Sequence, residues 1–328
     1  MNTISETYSF SKFGSPDVLE QHVIEISPPS NGEIQIQHLA IGVNYIDIYH
    51  RKGIFSAPLD LPSGLGVEGV GIITAIGEGV TGFALGERIA YIGGPANAYS
   101  TYRNLPATRA LHVPEDLDSA AVAATIFKGL TAEYLIHRCV ELVENDIVLL
   151  HAAAGGVGSI AAQWLKNIGV TVIGTVSTPE KAEVARDNGC DHVIIYTQEN
   201  FSDEVAKITA GKGVRVVYDA VGLATFDQSL DCLRPRGTLV SFGESSGKIP
   251  PFDISSLGSR GSLYLTRPSI AYYTAEREEY EAAAERLFTA MQRGYIKASL
   301  TIYPLSQVKT AHEALEARRT IGSVVLIP

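Results

Sequence analysis

Eight residues constrain this chain more than any others: His151-Ala152-Ala153-Ala154-Gly155-Gly156-Val157-Gly158. They follow an apolar run at 147–151 and lead into a helical pattern over 157–167. A glycine fingerprint gains physical meaning in that context, strand then turn then helix. Ala153 stands where the usual pattern has its first glycine, Gly155 at the second position and Gly158 at the third. A residue without Cβ at 155 lets the backbone approach a pyrophosphate, and one at 158 lets helix and strand pack closely. The helix start adds unpaired N–H groups and the positive end of its dipole. Small residues in a tight turn are the plainer reading of the same letters, and the flanking strand and helix favour the dinucleotide reading over it.

The surrounding sequence repeats the alternation. Apolar runs at 170–176, 192–196, 214–219, 237–242 and 261–266 predict five more strands, with helices over 202–209 and 225–233. Thr178 is placed to cap a helix whose first position is Pro179, and Gly189 can end it in the left-handed conformation. Near-continuous apolar strands alternating with helices imply a parallel sheet covered on both faces. Six of them complete a doubly wound dinucleotide fold. Before about residue 120 the pattern is β-rich. Strands are predicted at 33–38, 69–76 and 88–92, separated by dense glycines, as in a partly open barrel or sandwich. After the sixth strand come a charged amphipathic helix over 275–293 closed by Gly294, a helix from Ser306 to about Arg319, and a last strand at 323–327. A six-strand sheet is complete without this tail, so the tail is expected to return to the first domain. The expected domains are 1–124 with 268–328, and 125–267.

Cofactor identity is read at the end of the second strand of the sheet. An enzyme using NAD places Asp or Glu there for the ribose 2′-hydroxyl. This chain has Thr175-Val176-Ser177-Thr178, with Lys181 three residues later and Tyr196 at the end of the next strand. A hydroxyl and a cation without an acid suit a 2′-phosphate, which favours NADPH. The competing reading leaves Lys181 in solvent and gives the ribose to Glu180.

Composition excludes several classes. The formal net charge is −10 over 328 residues, from 26 Lys and Arg against 36 Asp and Glu, so non-specific binding to nucleic acid or an anionic membrane is disfavoured. Cys139, Cys190 and Cys232 are too far apart for a disulfide framework or a thiolate zinc site, and they fit a reducing compartment. No His or Cys pair has metal-ligand spacing, and most of the eight dispersed histidines are expected to be surface residues or singly bonded. A hydride acceptor must then be electrophilic already or be polarised by hydrogen bonds. Residues 1–10 lack a basic start and apolar run, so no secretory signal is expected. The uncharged stretch 147–165 contains His151, three glycines, Ser159 and Gln163, and reads as strand, turn and helix rather than a membrane span.

A third signal is Gly42-Val43-Asn44-Tyr45-Ile46-Asp47-Ile48-Tyr49, which places polar Asn44 and Tyr49 beside a strand end; turn and cap roles explain it equally from sequence alone. This segment, Ser63-Gly64-Leu65-Gly66-Val67-Glu68-Gly69, Lys128-Gly129-Leu130-Thr131, the 151–158 turn, Val217-Tyr218-Asp219-Ala220-Val221-Gly222 and Gly261 through Pro268 together resemble the zeta-crystallin-like NADPH:quinone oxidoreductases. These form the zinc-free branch of the medium-chain dehydrogenase/reductase superfamily. The resemblance covers essentially the whole chain.

The resemblance implies an α/β architecture: a GroES-like, β-rich catalytic domain completed by the tail, plus a Rossmann domain, the doubly wound parallel sheet. Asn44 stands where zinc relatives carry a ligand cysteine and Val67 where they carry a histidine, and the cysteine-rich lobe is missing around 93–114. By resemblance Asn44, Tyr49 and Thr131 lie near the nicotinamide, and Gly156 and Val157 meet the pyrophosphate. Ser177, Lys181 and Tyr196 form the 2′-phosphate site. Phe242, Gly243, Leu265, Thr266 and Arg267 run along the nicotinamide half, and Arg318 is a further cofactor contact. Similar bacterial enzymes often have an amide after Phe242-Gly243. This chain has Glu244, whose carboxylate would repel a diphosphate or a reduced-quinone oxyanion unless it points to solvent. The expected activity is metal-free, NADPH-dependent quinone reduction by a cytoplasmic homodimer joined near Leu263. The alternatives are an enone or alkenal double-bond reductase and a redox-silent NADPH-binding protein.

Overall fold

The apolar runs after residue 147 form one parallel sheet in the computed structural model of the chain, which describes residues 2–54 and 59–328. Across the sheet the strands are His192–Ile195, Thr171–Val176, Ile147–Leu150, Val214–Asp219, Leu233–Ser241 and Tyr264–Thr266. Chain order reverses direction at Ile147–Leu150, so this strand and Val214–Asp219 flank the topological switch point, where such sheets bind ligands beyond their carboxyl ends. Val, Ile and Leu are buried on both faces: Leu149, Ile173, Val217 and Leu239 pack among Ile194, Phe201, Phe226 and Leu230 on one, and the alternate positions Val148, Val172, Val216 and Val240 are equally buried. Thr178 caps the helix Pro179–Asp187 by accepting from the Lys181 N–H, and Gly189 after it has φ +99°.

The first unit is antiparallel in the main. Glu33–Val43 pairs with Glu68–Ile76, Tyr102–Pro106 and Ser323–Ile327, and the sheet extends through Arg88–Ile92 to Ala110–His112. A second sheet joins Glu20–Ile26, Thr3–Phe10 and Ser63–Gly64. Phe10, Leu19, Ile34, Ile36, Ile41, Tyr91, Tyr99 and Leu326 are buried together in its core.

Two expectations need correction. The compact units are 1–127 with 298–328, and 128–297, so the tail divides at 297/298 and does not return whole from 268. The cause is the helix Arg277–Gln292. Its charged sequence hides an apolar stripe, Tyr280, Ala283, Ala284, Leu287 and Phe288, spaced as one helical face and buried. Leu287 occupies the space over Gly129, where a Cβ would lie 2.5 Å from its Cδ1, and Arg286 donates to Glu133 at 2.7 and 2.9 Å. The other boundary falls at 127/128 rather than 124/125, both within the one helix Ser119–Tyr134. The late helix also differs: a 3₁₀ turn, Leu305–Gln307, precedes Val308–Glu316, and the helix stops short of Arg319 because Arg318 takes φ +55°. Among the described residues no helix is long and apolar enough to cross a membrane.

Candidate active site

The glycine turn is built as its sequence requires. Gly155 caps the helix Gly156–Asn167, and the Ser159 N–H makes the first intrahelical bond, to Gly155 O at 2.8 Å. The N–H groups of Gly156, Val157 and Gly158 precede that bond and give the turn its anion-binding character. A Cβ at 158 would lie 2.2 Å from Ala152 O, so only glycine lets the helix close onto the turn. Ala152 is held at φ +54°, a conformation that L-residues rarely adopt. These features fit a dinucleotide diphosphate.

Beneath the turn lies a polar chain that the sequence did not announce. His151 is 1 % exposed, with Nδ1 2.8 Å from Thr175 Oγ1 and Nε2 2.9 Å from Ser229 Oγ. Ser229 gives its single proton to Asp219 Oδ2 at 3.3 Å, so it must accept from the imidazole. That fixes the Nε2–H tautomer and makes Nδ1 the acceptor of the Thr175 hydroxyl proton. Asp219 also accepts from Thr225 Oγ1 and from the N–H groups of Val221 and Gly222. Burial lowers the His151 pKa against the pull of Asp219, which favours the neutral ring. With His38, His50 and His312 it makes four buried histidines; His38 and His151 each have two hydrogen-bond partners, beyond the surface or singly bonded state expected for most of the eight.

The phosphate-end residues converge. Val176 pairs with Ile195 in the parallel ladder, and the Tyr196 N–H donates to Val176 O at 3.1 Å. Ser177 and Tyr196 therefore leave adjacent strand ends, and Lys181 lies in the first turn of the helix that follows Ser177. Tyr196 is 41 % exposed. Glu180, the competing ribose ligand, hydrogen-bonds with Thr178, which lowers its pKa. The set of hydroxyl, ammonium and phenol fits a 2′-phosphate.

Phe242 and Gly243 follow the strand Leu233–Ser241, and both N–H groups donate to Asp219 O, at 2.8 and 3.3 Å. Leu265 and Thr266 end the neighbouring strand, opposite Leu239 and Val240. Arg267 Nη1 donates to Ser241 O, Ser241 Oγ and Gly243 O, while Nη2 sits 3.5 Å from Glu244 Oε2. Glu244 is thus paired to a cation rather than turned freely to solvent. Thr131 lies in the helix Ser119–Tyr134 and is 6 % exposed.

The remaining candidates belong to the first unit. Asn44 begins the helix Tyr45–Lys52 and forms a capping box with Asp47, its N–H donating to Asp47 Oδ2 at 2.8 Å. Tyr49 lies one turn further on, in edge contact with the Tyr45 ring. Asp47 also accepts from Tyr99 Oη at 2.8 Å, and Tyr99 in turn meets His312 Nε2 at 2.9 Å. Buried Arg51 pairs with Glu316, which Lys52 also reaches at 2.5 Å, so the helix bearing Asn44 and Tyr49 is tied to Val308–Glu316. Arg318 follows that second helix. Glu68, absent from the expected site, is fully buried and accepts from Asn44 Nδ2 at 2.6 Å. Its signal in sequence was an acid inside the apolar run of 65–70. Among the described residues no group of three or more His, Cys, Asp or Glu side chains is placed to hold a metal ion.

Residues 30–144 match the alcohol dehydrogenase GroES-like domain and residues 156–289 the zinc-binding dehydrogenase domain. A quinone oxidoreductase of Pseudomonas aeruginosa is 44% identical over 326 residues, covering 99% of this chain and 100% of that one. A 2-haloacrylate reductase of a Burkholderia species is 43% identical over 324 residues, 97% of each chain. The crystal structure of Escherichia coli quinone oxidoreductase complexed with NADPH superposes with a TM-score of 0.96 at 43% identity, covering 98% of this chain and all of the other. With such identity over nearly the full length of both chains, the chain belongs to the zinc-free quinone oxidoreductases of the medium-chain dehydrogenase/reductase superfamily.

Proposed function

We infer that the chain is an NADPH-dependent quinone reductase working without a metal. The observation that carries the reading is the phosphate end of the nucleotide site: Ser177, Lys181 and Tyr196 gather at adjacent strand ends, with Glu180 engaged by Thr178. Bound NADPH supplies the hydride. The N–H groups of Gly156, Val157 and Gly158, in the turn that Gly155 opens, hold the diphosphate, and Ser177, Lys181 and Tyr196 hold the 2′-phosphate. Phe242, Gly243, Leu265, Thr266, Arg267 and Thr131 line the nicotinamide half, and Arg318 adds a further contact. Asn44 Nδ2–H and Tyr49 Oη–H donate to the acceptor oxygen as it gains negative charge; one such donor is typically worth about 3 kcal/mol.

The protein is read as a cytoplasmic homodimer. The strand Tyr264–Thr266 supports the dimer, because it ends the sheet order and exposes Tyr264. Reduction of an activated double bond is a second reading, favoured by the 2-haloacrylate reductase relative. The test follows oxidation of NADPH, and separately NADH, with 1,4-benzoquinone and with a simple enone. Rapid NADPH-selective oxidation by the quinone is expected. Turnover with the enone alone moves the activity to the second reading, and tight binding without turnover leaves only a binding protein.

A further inference from the structure

Glu68 has no part in the reaction just described, yet its surroundings are unusually specific. It is fully buried at the start of Glu68–Ile76. Asn44 Nδ2 donates to Oε1 at 2.6 Å and the Phe127 N–H to Oε2 at 2.8 Å. Room for this carboxylate is made by Gly42, where a Cβ would lie 1.9 Å from Oε1 and 2.6 Å from Ala123 O. Two separate segments of the first unit, 42–44 and 123–127, thus meet around one acid.

We propose that Glu68 is a positioning residue that fixes which end of the Asn44 amide is presented to the hydride acceptor. The inference rests on the role given to Asn44 above. An amide side chain is nearly symmetric in shape, and rotation by half a turn exchanges its oxygen for its nitrogen. A carboxylate only accepts, so the end facing Glu68 must be Nδ2. One of the two Nδ2–H bonds is spent on Glu68; the other is the donor left for an oxygen gaining charge. Rotated, the amide would present oxygen to oxygen and repel the developing charge. A buried charge-assisted bond of this length holds one orientation far better than solvent would.

Glutamine at 68 is the informative substitution. It has one acceptor oxygen for two donors, so its –NH₂ must face either the Phe127 N–H or Asn44. The second arrangement turns the Asn44 amide over.

The experiment compares wild type, E68Q, N44A and the E68Q/N44A double variant, with 1,4-benzoquinone at saturating NADPH. E68Q is expected to lower kcat about 10-fold or more while the KM for NADPH stays within about twofold. The double variant should be no slower than N44A, because Glu68 acts only through Asn44. Side-chain ¹⁵N spectra give a readout independent of turnover. One Asn44 Nδ2–H should resonate downfield and exchange slowly in wild type, and lose both properties in E68Q. The E68Q/N44D variant guards against misfolding. Its amide at position 68 can donate to the carboxylate at position 44 and accept from the Phe127 N–H, so thermal stability returns while activity does not. Multiplying effects of E68Q and N44A, or an unchanged Asn44 resonance in E68Q, overturn the proposal. A costly N44A beside a neutral E68Q overturns it alone, whereas a neutral N44A overturns it together with the catalytic role of Asn44.

Discussion

Thr175 donates its hydroxyl proton to His151 Nδ1 across 2.8 Å, and that bond ties the strand leading to Ser177 to the turn leading to Gly155. Two ends of the proposed cofactor site are joined below the surface. Thr175→Val keeps the shape and removes the donor, leaving a buried imidazole nitrogen unsatisfied. The expected cost is about 1–3 kcal/mol of stability, with weaker NADPH binding. Denaturant unfolding and a fluorescence titration with NADPH check both parts. Lost stability with unchanged affinity would confine the chain to a structural role.

Lys181 tests the choice of cofactor. In the proposed site it meets a 2′-phosphate as a point charge, an attraction that a neutral 2′-hydroxyl does not offer. Lys181→Ala is expected to lower kcat/KM for NADPH about 10-fold to 100-fold and to move the NADH value less than about threefold. Equal losses for both cofactors would place Lys181 outside the phosphate site.

The ease with which sequence revealed each part follows from how local its physics is. The six parallel strands were legible because each carries its own apolar run, and Val214–Asp219 and Ser323–Ile327 fall on the predicted residues. Thr3–Phe10 and Glu20–Ile26 were missed. The second is exposed along nearly its whole length and has no apolar face to signal it. The helix Arg277–Gln292 was legible as a helix but not as part of the second unit, because its partners, Gly129 and Glu133, lie some 150 residues away. Asn44 was singled out, but its orientation depends on Glu68 and on a backbone N–H at 127, pairings set only by the tertiary fold.

Glu244 tests the electrostatics of the nicotinamide end. Its carboxylate faces Arg267, whose other donors are already anchored on Ser241 and Gly243. Both partners are partly exposed, so the pair itself adds little stability. Glu244→Gln should leave Arg267 in place with its charge uncompensated. NADPH, a polyanion, should then bind about 2-fold to 10-fold tighter at low salt, with the gain shrinking as ionic strength rises. A salt-independent change, or none, would mean that this ion pair does not face the cofactor.

Acid stability tests the buried histidines of the first unit. Tyr99 gives its proton to Asp47, so His312 Nε2 must donate to Tyr99, while its buried Nδ1 has no partner to receive a second proton. Burial and Arg51 push its pKa down to about 3; burial and Arg103 do the same for His38, also to about 3. The unfolded chain takes up these protons near pH 6.5, while the folded chain refuses them until about pH 3. Stability therefore falls as pH drops through that window, by about 1.4 kcal/mol per pH unit for each such histidine. Carboxylates join below about pH 5, so the interval from about 6.5 to 5 isolates the histidine contribution. Urea unfolding across that interval should show a steep loss, and His312→Gln should lower the slope by about one proton. An unchanged slope in the variant would mean that His312 binds no fewer protons folded than unfolded, against the burial of its Nδ1, where an added proton finds no acceptor.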